Sequence, residues 1–223
     1  MNPHIKKILK NMKYAIFDLD GTLLDSMPIW ADLDKSVLEP LGIIANDDLN
    51  KRFKTMTLQQ SSSYLTQTFA LDMTADNLMQ IFTETISFEY RENIPLKPGA
   101  LEFLQHLHEN GILSCVATAS ERNLAEAALQ RTGALPHLQF ILTCSELKTS
   151  KENPKIFLEA MKRMGGNLQQ TVVFEDAYLS LLSAKKTGFP VICIHEETHS
   201  QKSCEEIRSH ADGYVSSFHK LLR

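Results

Sequence analysis

The feature that most constrains the fold is an alternation of strand-like and helix-like segments that begins after Pro95 and continues towards the C-terminus. Short, mainly apolar runs alternate with segments of helical periodicity that end at glycine. Strands that are apolar along their length and alternate with helices are typical of a parallel sheet covered on both faces. We therefore predict an α/β fold, a doubly wound parallel sheet, with strands at 112–117, 140–143, 171–174 and 191–194.

The first predicted strand is separated from the others by a long helical stretch. The run at 13–17 is short and apolar, and it ends at Asp18. From 27 to 93 the apolar residues follow helical spacing, and no glycine occurs between Gly42 and Gly99. This pattern predicts a discontinuous α/β core, residues 1–25 and 95–223, with an inserted helical domain at 26–94.

Composition excludes several classes of protein. The 223 residues are 43% hydrophobic, which is too apolar for a disordered chain. Acidic residues slightly outnumber basic ones, 27 to 23, so we expect no nucleic-acid partner. No apolar run approaches the roughly 20 residues needed to span a bilayer, so we expect no membrane association. The four cysteines are scattered and the N-terminal stretch lacks the features of a secretory signal, which together favour a cytoplasmic location.

Polar clusters follow the predicted strands or precede a helix at four places. Asp18-Leu19-Asp20-Gly21-Thr22 follows the first strand, Thr118-Ala119-Ser120 the second and Glu175-Asp176 a later one, and Lys151 stands before a helix. In doubly wound sheets, ligands bind at the carboxyl ends of the strands. We therefore expect the four clusters to meet at one edge of the sheet.

These four clusters, in this order, resemble the motifs of the haloacid dehalogenase-like superfamily. The resemblance covers nearly the whole chain and is nearest to the branch that contains β-phosphoglucomutase-like and phosphoglycolate-phosphatase-like proteins. It implies that the helical insertion is a mobile cap. It also implies a Mg²⁺ cofactor, because an anionic phosphate monoester resists an anionic nucleophile until a cation offsets the repulsion.

The resemblance assigns roles to the acidic residues. Asp18 would be the nucleophile that forms an aspartyl-phosphate, and Asp20 the general acid and base. Asp18, the backbone carbonyl of Asp20, and Asp176 would hold Mg²⁺, with Glu175 as a direct or water-mediated ligand.

The resemblance also implies how the phosphate is bound. Thr118 would donate its hydroxyl, and Ala119 its backbone N–H, to the phosphoryl oxygens. Lys151 would place a positive charge between nucleophile and phosphate. Lys54 belongs to a basic cluster in the helical insertion, for which a solvent-facing charge cluster is the simpler explanation; the alternative is that Lys54 attracts anionic substrates. The chain departs from the usual motif at Glu152, whose role the sequence does not define.

The branch includes both phosphatases and phosphomutases. The mutases place a histidine twelve residues after the nucleophile, where this chain has Trp30, and an arginine in the cap, where this chain has Leu58. Without that arginine the second phosphate of a bisphosphate lacks a bidentate partner. We therefore expect a phosphatase, with β-phosphoglucomutase activity as the alternative.

Two other classes are less consistent with the motifs. A dehalogenase has no need of Asp20, Asp176 or Mg²⁺, and a non-catalytic module would have no reason to keep every motif residue. The sequence predicts a Mg²⁺-dependent hydrolase of a small phosphorylated metabolite, such as a sugar phosphate. We expect a monomer, because the cap must move.

Overall fold

The computed structural model describes residues 2–44, 49, 56 and 58–222, and within them two compact units. One unit comprises Met1–Met27 and Ile94–Arg223, and the other comprises Pro28–Asn93. The first unit is an α/β domain and the second is helical.

The α/β unit is built on one sheet of six parallel strands. The strands are β1 (Tyr14–Phe17), β2 (Leu113–Thr118), β3 (Ile141–Thr143), β4 (Thr171–Glu175), β5 (Val191–Ile194) and β6 (Gly213–Val215). Their order across the sheet is β3-β2-β1-β4-β5-β6. From β1 to β3 the chain adds strands on one side, and from β4 to β6 it adds them on the other side, so the strand order reverses between β1 and β4. The predicted doubly wound parallel sheet is confirmed.

The helices of this unit flank the sheet. They are α1 (Pro3–Asn11), α5 (Ala100–Glu109), α6 (Arg122–Arg131), α7 (Cys144–Leu147), α8 (Lys155–Arg163), α9 (Tyr178–Thr187) and α10 (Gln201–His210). Single-turn 3₁₀ helices lie at Leu135–His137 and Phe218–Lys220.

The helical unit contains α2 (Met27–Leu38), which begins at the unit boundary, α3 (Leu58–Thr68) and α4 (Ala75–Glu92). A 3₁₀ turn, Glu39–Leu41, follows α2. Thr74 caps α4 by accepting the N–H of Asn77 at 3.1 Å. The buried residues of α4, Leu78, Phe82, Ile86 and Tyr90, recur every four residues and form one apolar face.

Alternate residues of β1 face opposite layers of the core. Ile16 belongs to a cluster that includes Phe157 of α8 and Leu181 of α9. Phe17 stacks on Phe174 of β4, with ring centroids 4.6 Å apart. Helices therefore cover both faces of the sheet, which explains why its strands are apolar along their length.

The second layer of the core is an aromatic cluster, formed by Phe17, Phe103, Phe174 and Phe218. Phe103 of α5 lies edge-on to Phe17 at 6.2 Å and to Phe174 at 5.5 Å. All four rings are fully buried. The cluster fixes the positions of β1 and β4 just below the ends at which the predicted site residues begin.

Two predictions from the sequence concern membranes and thiols. Within the described residues, no helix has both the length and the apolar character needed to cross a bilayer. All four cysteines are free and buried. The cytoplasmic location stays a prediction.

We predict that Phe103→Ala lowers the free energy of unfolding by about 3–5 kcal/mol, because it leaves a cavity between two buried rings. Phe88→Ala is the control, since Phe88 is 52% exposed and should cost no more than about 0.5–1 kcal/mol. Chemical denaturation measures both values. Equal losses of unfolding free energy in the two variants would contradict the proposed contribution of the aromatic cluster to stability.

Candidate active site

The predicted site residues meet at the carboxyl edge of the sheet, where β1 and β4 lie side by side. Phe17 pairs with Phe174, so Asp18 and Glu175 come at the same level of neighbouring strands. The N–H of Asp18 donates to the carbonyl of Phe174 at 2.9 Å, which extends the pairing by one residue. This is the position where the strand order reverses and where doubly wound folds bind their ligands.

Asp18 is buried and held by side chains on both carboxylate oxygens. The ammonium of Lys151 donates to Oδ1. The hydroxyl of Thr22 donates to Oδ2 at 3.2 Å. The side chain of Asp18 is only 7% exposed, so its orientation is set by these two donors rather than by solvent.

Lys151 joins Asp18 to Glu175. Its Nζ also donates to Glu175 Oε1, and its side chain is 10% exposed. Glu175 Oε2 accepts the backbone N–H groups of Asp176 and Ala177, each at 3.0 Å. Each oxygen of Glu175 therefore has a partner in the chain.

Asp176 and Asp18 share a hydrogen-bond donor, the side chain of Thr22. The hydroxyl of Thr22 lies 3.0 Å from Asp176 Oδ1 as well as 3.2 Å from Asp18 Oδ2. Thr22 therefore joins its own loop to Asp176, which follows another strand. Both acids are buried, and Thr22 sets the spacing between them.

Gly21 allows this close approach. Its φ is +79°, a conformation that L side chains rarely adopt. A Cβ at this position would lie 2.5 Å from Asp176 Oδ2. The glycine of the predicted motif is therefore required both by the turn and by the neighbouring carboxylate.

Burial raises the pKa of Asp18 to about 6, and the Glu175 carboxylate contributes to the rise, while Lys151 acts in the opposite direction. Burial also raises the pKa of Asp176 well above its usual value, and repulsion from Asp18 and Glu175 adds to the effect. Both shifts arise because negative charge is removed from water and concentrated. A bound cation would relieve both.

The donor set fits a hard divalent cation. Carboxylate oxygens of Asp18, Glu175 and Asp176 lie within 4.8 Å of one another. Oxygen ligands suit Mg²⁺, which also retains bound waters and therefore needs few protein ligands. Glu175 is the poorest candidate of the three, because its carboxylate already accepts three donors, the Lys151 ammonium and two backbone N–H groups.

Asp20 lies at the mouth of the site and is held by two serines. Ser26 donates to Oδ1 at 2.8 Å, and Ser120 donates to Oδ2 at 2.5 Å. Ser120 follows β2, one hundred residues along the chain, so it links the first loop to the second. Neither serine was predicted from the sequence to contact Asp20.

Thr118 and Ala119 lie at the end of β2, the strand beside β1. Thr118 ends β2 and is fully buried, and its Oγ accepts the N–H of Ser120 at 2.9 Å. This bond uses the oxygen as an acceptor and leaves the hydroxyl proton available for another partner. Ala119 lines the pocket.

A pocket of about 390 Å³ opens over these groups. Among its lining residues are Asp18, Asp20, Ala119, Lys151, Asp176 and His199. Glu152, where the chain departs from the usual motif, lines the pocket too. The volume is that of a small-molecule site.

His199 is a pocket residue that was not predicted from the sequence. It lies in the loop after β5, and its Nε2 is 3.6 Å from Asp176 Oδ2. Burial lowers the pKa of His199 below its ordinary value. The histidine lies 23 residues after Asp176 in a polar stretch, and no motif or spacing indicates it.

Three of the residues singled out from the sequence belong to the helical insertion. Lys54 lies outside the described residues. Trp30 lies within α2, and Leu58 is the first residue of α3. Their predicted roles stay predictions.

Residues 15–194 match the haloacid dehalogenase-like hydrolase family. Because the match spans most of the chain, the protein belongs to this family. The expected family and hydrolase class are confirmed.

The chain is similar to named phosphatases. It is 26% identical to the probable pseudouridine-5'-phosphatase of Drosophila melanogaster, over 95% of this chain and 92% of the relative. It is 28% identical to hexitol phosphatase A of Escherichia coli, over 82% of this chain and 83% of the relative.

The crystal structure of a predicted phosphoglycolate phosphatase from Haemophilus somnus is similar in fold. Its TM-score is 0.77 at 19% identity, with 95% of this chain and 97% of that chain covered. At this identity the comparison supports the fold alone.

We predict that Gly21→Ala weakens Mg²⁺ binding at least tenfold, because its Cβ displaces the Asp176 carboxylate. Gly133→Ala is the matched control: its φ is +74° and nothing lies within 4 Å of an added Cβ. Both variants should lose about 1–2 kcal/mol of stability from the left-handed backbone. Calorimetric titration with Mg²⁺ separates them, and unchanged affinity in Gly21→Ala would refute the close packing at Asp176.

Proposed function

We propose that the protein is a Mg²⁺-dependent phosphatase that hydrolyses a small phosphate monoester through an aspartyl-phosphate on Asp18. One observation carries the proposal. Asp18 is a buried carboxylate that lies between Lys151 and the Thr22–Asp176 contact and faces a small-molecule pocket. This arrangement provides a nucleophile, a fixed positive charge and a metal-binding carboxylate within one site.

Asp18 is suited to nucleophilic attack. Two donors fix its orientation, which holds the carboxylate ready for in-line approach to a phosphorus atom. Attack forms a bond from a carboxylate oxygen to phosphorus and breaks the bond from phosphorus to the leaving alcohol oxygen. The product is an acyl phosphate, which water can hydrolyse.

Lys151 supports this attack in two ways. Its ammonium favours the ionised form of Asp18 and provides positive charge beside the phosphoryl oxygens. Glu175, held by two backbone N–H groups, holds the ammonium in place. We therefore assign Glu175 mainly to the orientation of Lys151, with metal ligation as a further role.

Asp18 and Asp176 would hold Mg²⁺, together with the backbone carbonyl of Asp20. When bound, the ion supplies charge neutralisation between the anionic nucleophile and the anionic substrate. Thr22 keeps the two carboxylates at a fixed spacing for this purpose. Thr118 and the N–H of Ala119, at the end of the neighbouring strand β2, would complete phosphate binding.

Asp20 is the proposed general acid and base. It would donate a proton to the leaving alcohol and then accept one from the water that hydrolyses the acyl phosphate. Ser26 and Ser120 hold both carboxylate oxygens of Asp20. With its side chain oriented by these serines, Asp20 can carry the proton while Asp18 carries the phosphoryl group.

The proposed substrate class is a phosphorylated sugar, polyol or similar metabolite. The matched phosphatases from Drosophila melanogaster and Escherichia coli are named for pseudouridine-5'-phosphate and hexitol substrates, which supports this class. The alternative remains a phosphomutase, since the first half of that reaction uses the same residues. Trp30 and Leu58 favour the phosphatase.

Asp18→Asn should abolish turnover, because an amide cannot form the aspartyl-phosphate, while the nearly isosteric change should leave the fold intact. Release of inorganic phosphate from a chromogenic monoester with Mg²⁺ measures the effect. Asp72→Asn, at an exposed position in the helical unit, is the charge-matched control and should retain wild-type rates. Mg²⁺-dependent hydrolysis by Asp18→Asn would exclude this nucleophile.

Asp20→Asn should lower kcat by about 10²–10⁴-fold, the usual contribution of general acid–base catalysis. With p-nitrophenyl phosphate, whose leaving group needs little protonation, the phosphoenzyme should still form and should accumulate. Mass spectrometry of the quenched reaction detects it on the peptide that contains Asp18. A normal steady-state rate with no accumulation would refute the role.

Phosphatase and mutase activities predict different products. Incubation with a hexose 1-phosphate and a catalytic amount of hexose 1,6-bisphosphate should release inorganic phosphate, with no stimulation by the bisphosphate. Phosphorus NMR resolves the products. Formation of hexose 6-phosphate in excess of inorganic phosphate would favour the mutase and leave the assignment of Asp18 intact.

A further inference from the structure

A second buried ion pair lies beside the active site and takes no part in the proposed chemistry. Lys97 and Glu196 are 7% and 1% exposed, and the ammonium donates to Glu196 Oε2. Lys97 Nζ also lies 3.2 Å from Asp25 Oδ1 and 3.4 Å from the carbonyl of His195. Buried ion pairs contribute little net stability, because desolvation offsets most of the attraction. The main effect of this pair is therefore on the relative positions of the chain segments that it joins.

The pair joins three segments of the α/β unit. The N–H of Lys97 donates to the carbonyl of Leu23 at 2.8 Å, and the N–H of Asp25 donates to the carbonyl of Pro95 at 2.9 Å. These bonds tie the segment after the Asp18 loop to the segment before α5. Glu196 adds the loop after β5 to the same cluster.

Glu196 also shapes the loop that follows it. Its Oε1 accepts the N–H of Thr198 at 2.9 Å, and its carbonyl accepts the N–H of His199 at 3.3 Å. One residue therefore bonds to Lys97 with one carboxylate oxygen and closes the turn with the other. The turn directs His199 to the pocket.

His199 faces the metal-binding carboxylate. Its Nε2 lies 3.6 Å from Asp176 Oδ2, whereas Thr22 occupies the opposite side at Oδ1. The side chain of His199 is 21% exposed and lines the pocket. Asp176 is thus flanked by a hydroxyl on one oxygen and by an imidazole on the other.

We infer that His199 is a positioning residue for Asp176, and that the buried Lys97–Glu196 pair raises the metal affinity of the site by holding the His199 loop in place. The inference rests on the metal site of the proposed function. Groups that orient metal-binding side chains typically change metal affinity by about 10–100-fold when they are removed. His199 acts through Asp176 and does not contact the reacting atoms.

Calorimetric titration of the full chain with Mg²⁺ alone, without substrate, tests the inference. His199→Leu should weaken binding by about 10–100-fold. His199→Gln, which keeps an N–H donor near the position of Nε2, should restore most of the affinity. Equal affinity of His199→Leu and wild type, or an equal loss in both variants, would overturn the role of the ring.

The role of the ion pair has a matched control in the next residue. Glu196→Gln and Glu197→Gln each remove one negative charge from the same loop, but Glu197 is exposed. Only Glu196→Gln should weaken Mg²⁺ binding. An equal loss of affinity in both variants would show that the effect comes from the overall charge of the loop and not from the ion pair. If Glu196→Gln fails to fold, Lys97→Met combined with Glu196→Leu replaces the pair by apolar groups, which buried sites often tolerate. That double variant should also bind Mg²⁺ at least tenfold more weakly, and wild-type affinity would overturn the inference.

Activity measurements separate this inference from the proposed function. At saturating Mg²⁺, His199→Leu should recover a kcat close to that of the wild type, because its defect lies in metal binding. A kcat that stays low at saturation would contradict a positioning role. If the wild type binds Mg²⁺ with the predicted dependence on His199 but hydrolyses no phosphate ester, the proposed function fails and this inference stands.

Discussion

Three carboxylates, of Asp18, Glu175 and Asp176, are buried together at the ends of two adjacent parallel strands, with the ammonium of Lys151 bonded to two of them. Negative charge concentrated out of water is unfavourable unless positive charge or hydrogen-bond donors offset it. One lysine, one threonine and two backbone N–H groups provide part of this compensation. The remaining excess of negative charge supports the proposed binding of a divalent cation, and through it of a phosphate, at this edge of the sheet.

The rest of the α/β unit holds this cluster together. Stacking of Phe17 on Phe174 and the pairing of β1 with β4 set the level at which Asp18 and Glu175 leave the sheet. The positive φ of Gly21 then lets the loop turn against Asp176. Because each of these contacts acts directly beneath or beside a carboxylate, the stability of the core and the geometry of the site depend on the same residues.

The sheet and the main acidic residues were predictable because local patterns encode them. Apolar runs that end abruptly in Asp or Glu indicate buried strands that lead into a site, and the structure has strands at all five predicted places. Strand β6, Gly213–Val215, was missed: it begins at a glycine that follows Asp212 and lacks the continuous apolar run that marked β3, a strand of the same length. The contacts of Ser120 with Asp20 and of Glu196 with Lys97 join residues about one hundred positions apart, so no local pattern could indicate them.

The most direct test of the central claim is a crystal structure of the protein with Mg²⁺ and beryllium fluoride, which mimics a phosphoryl group on a carboxylate. We expect the fluoride adduct on a carboxylate oxygen of Asp18, within reach of the Lys151 ammonium, and one Mg²⁺ between Asp18 and Asp176. An adduct on another side chain, or a metal ion bound away from this pair, would contradict the proposed site.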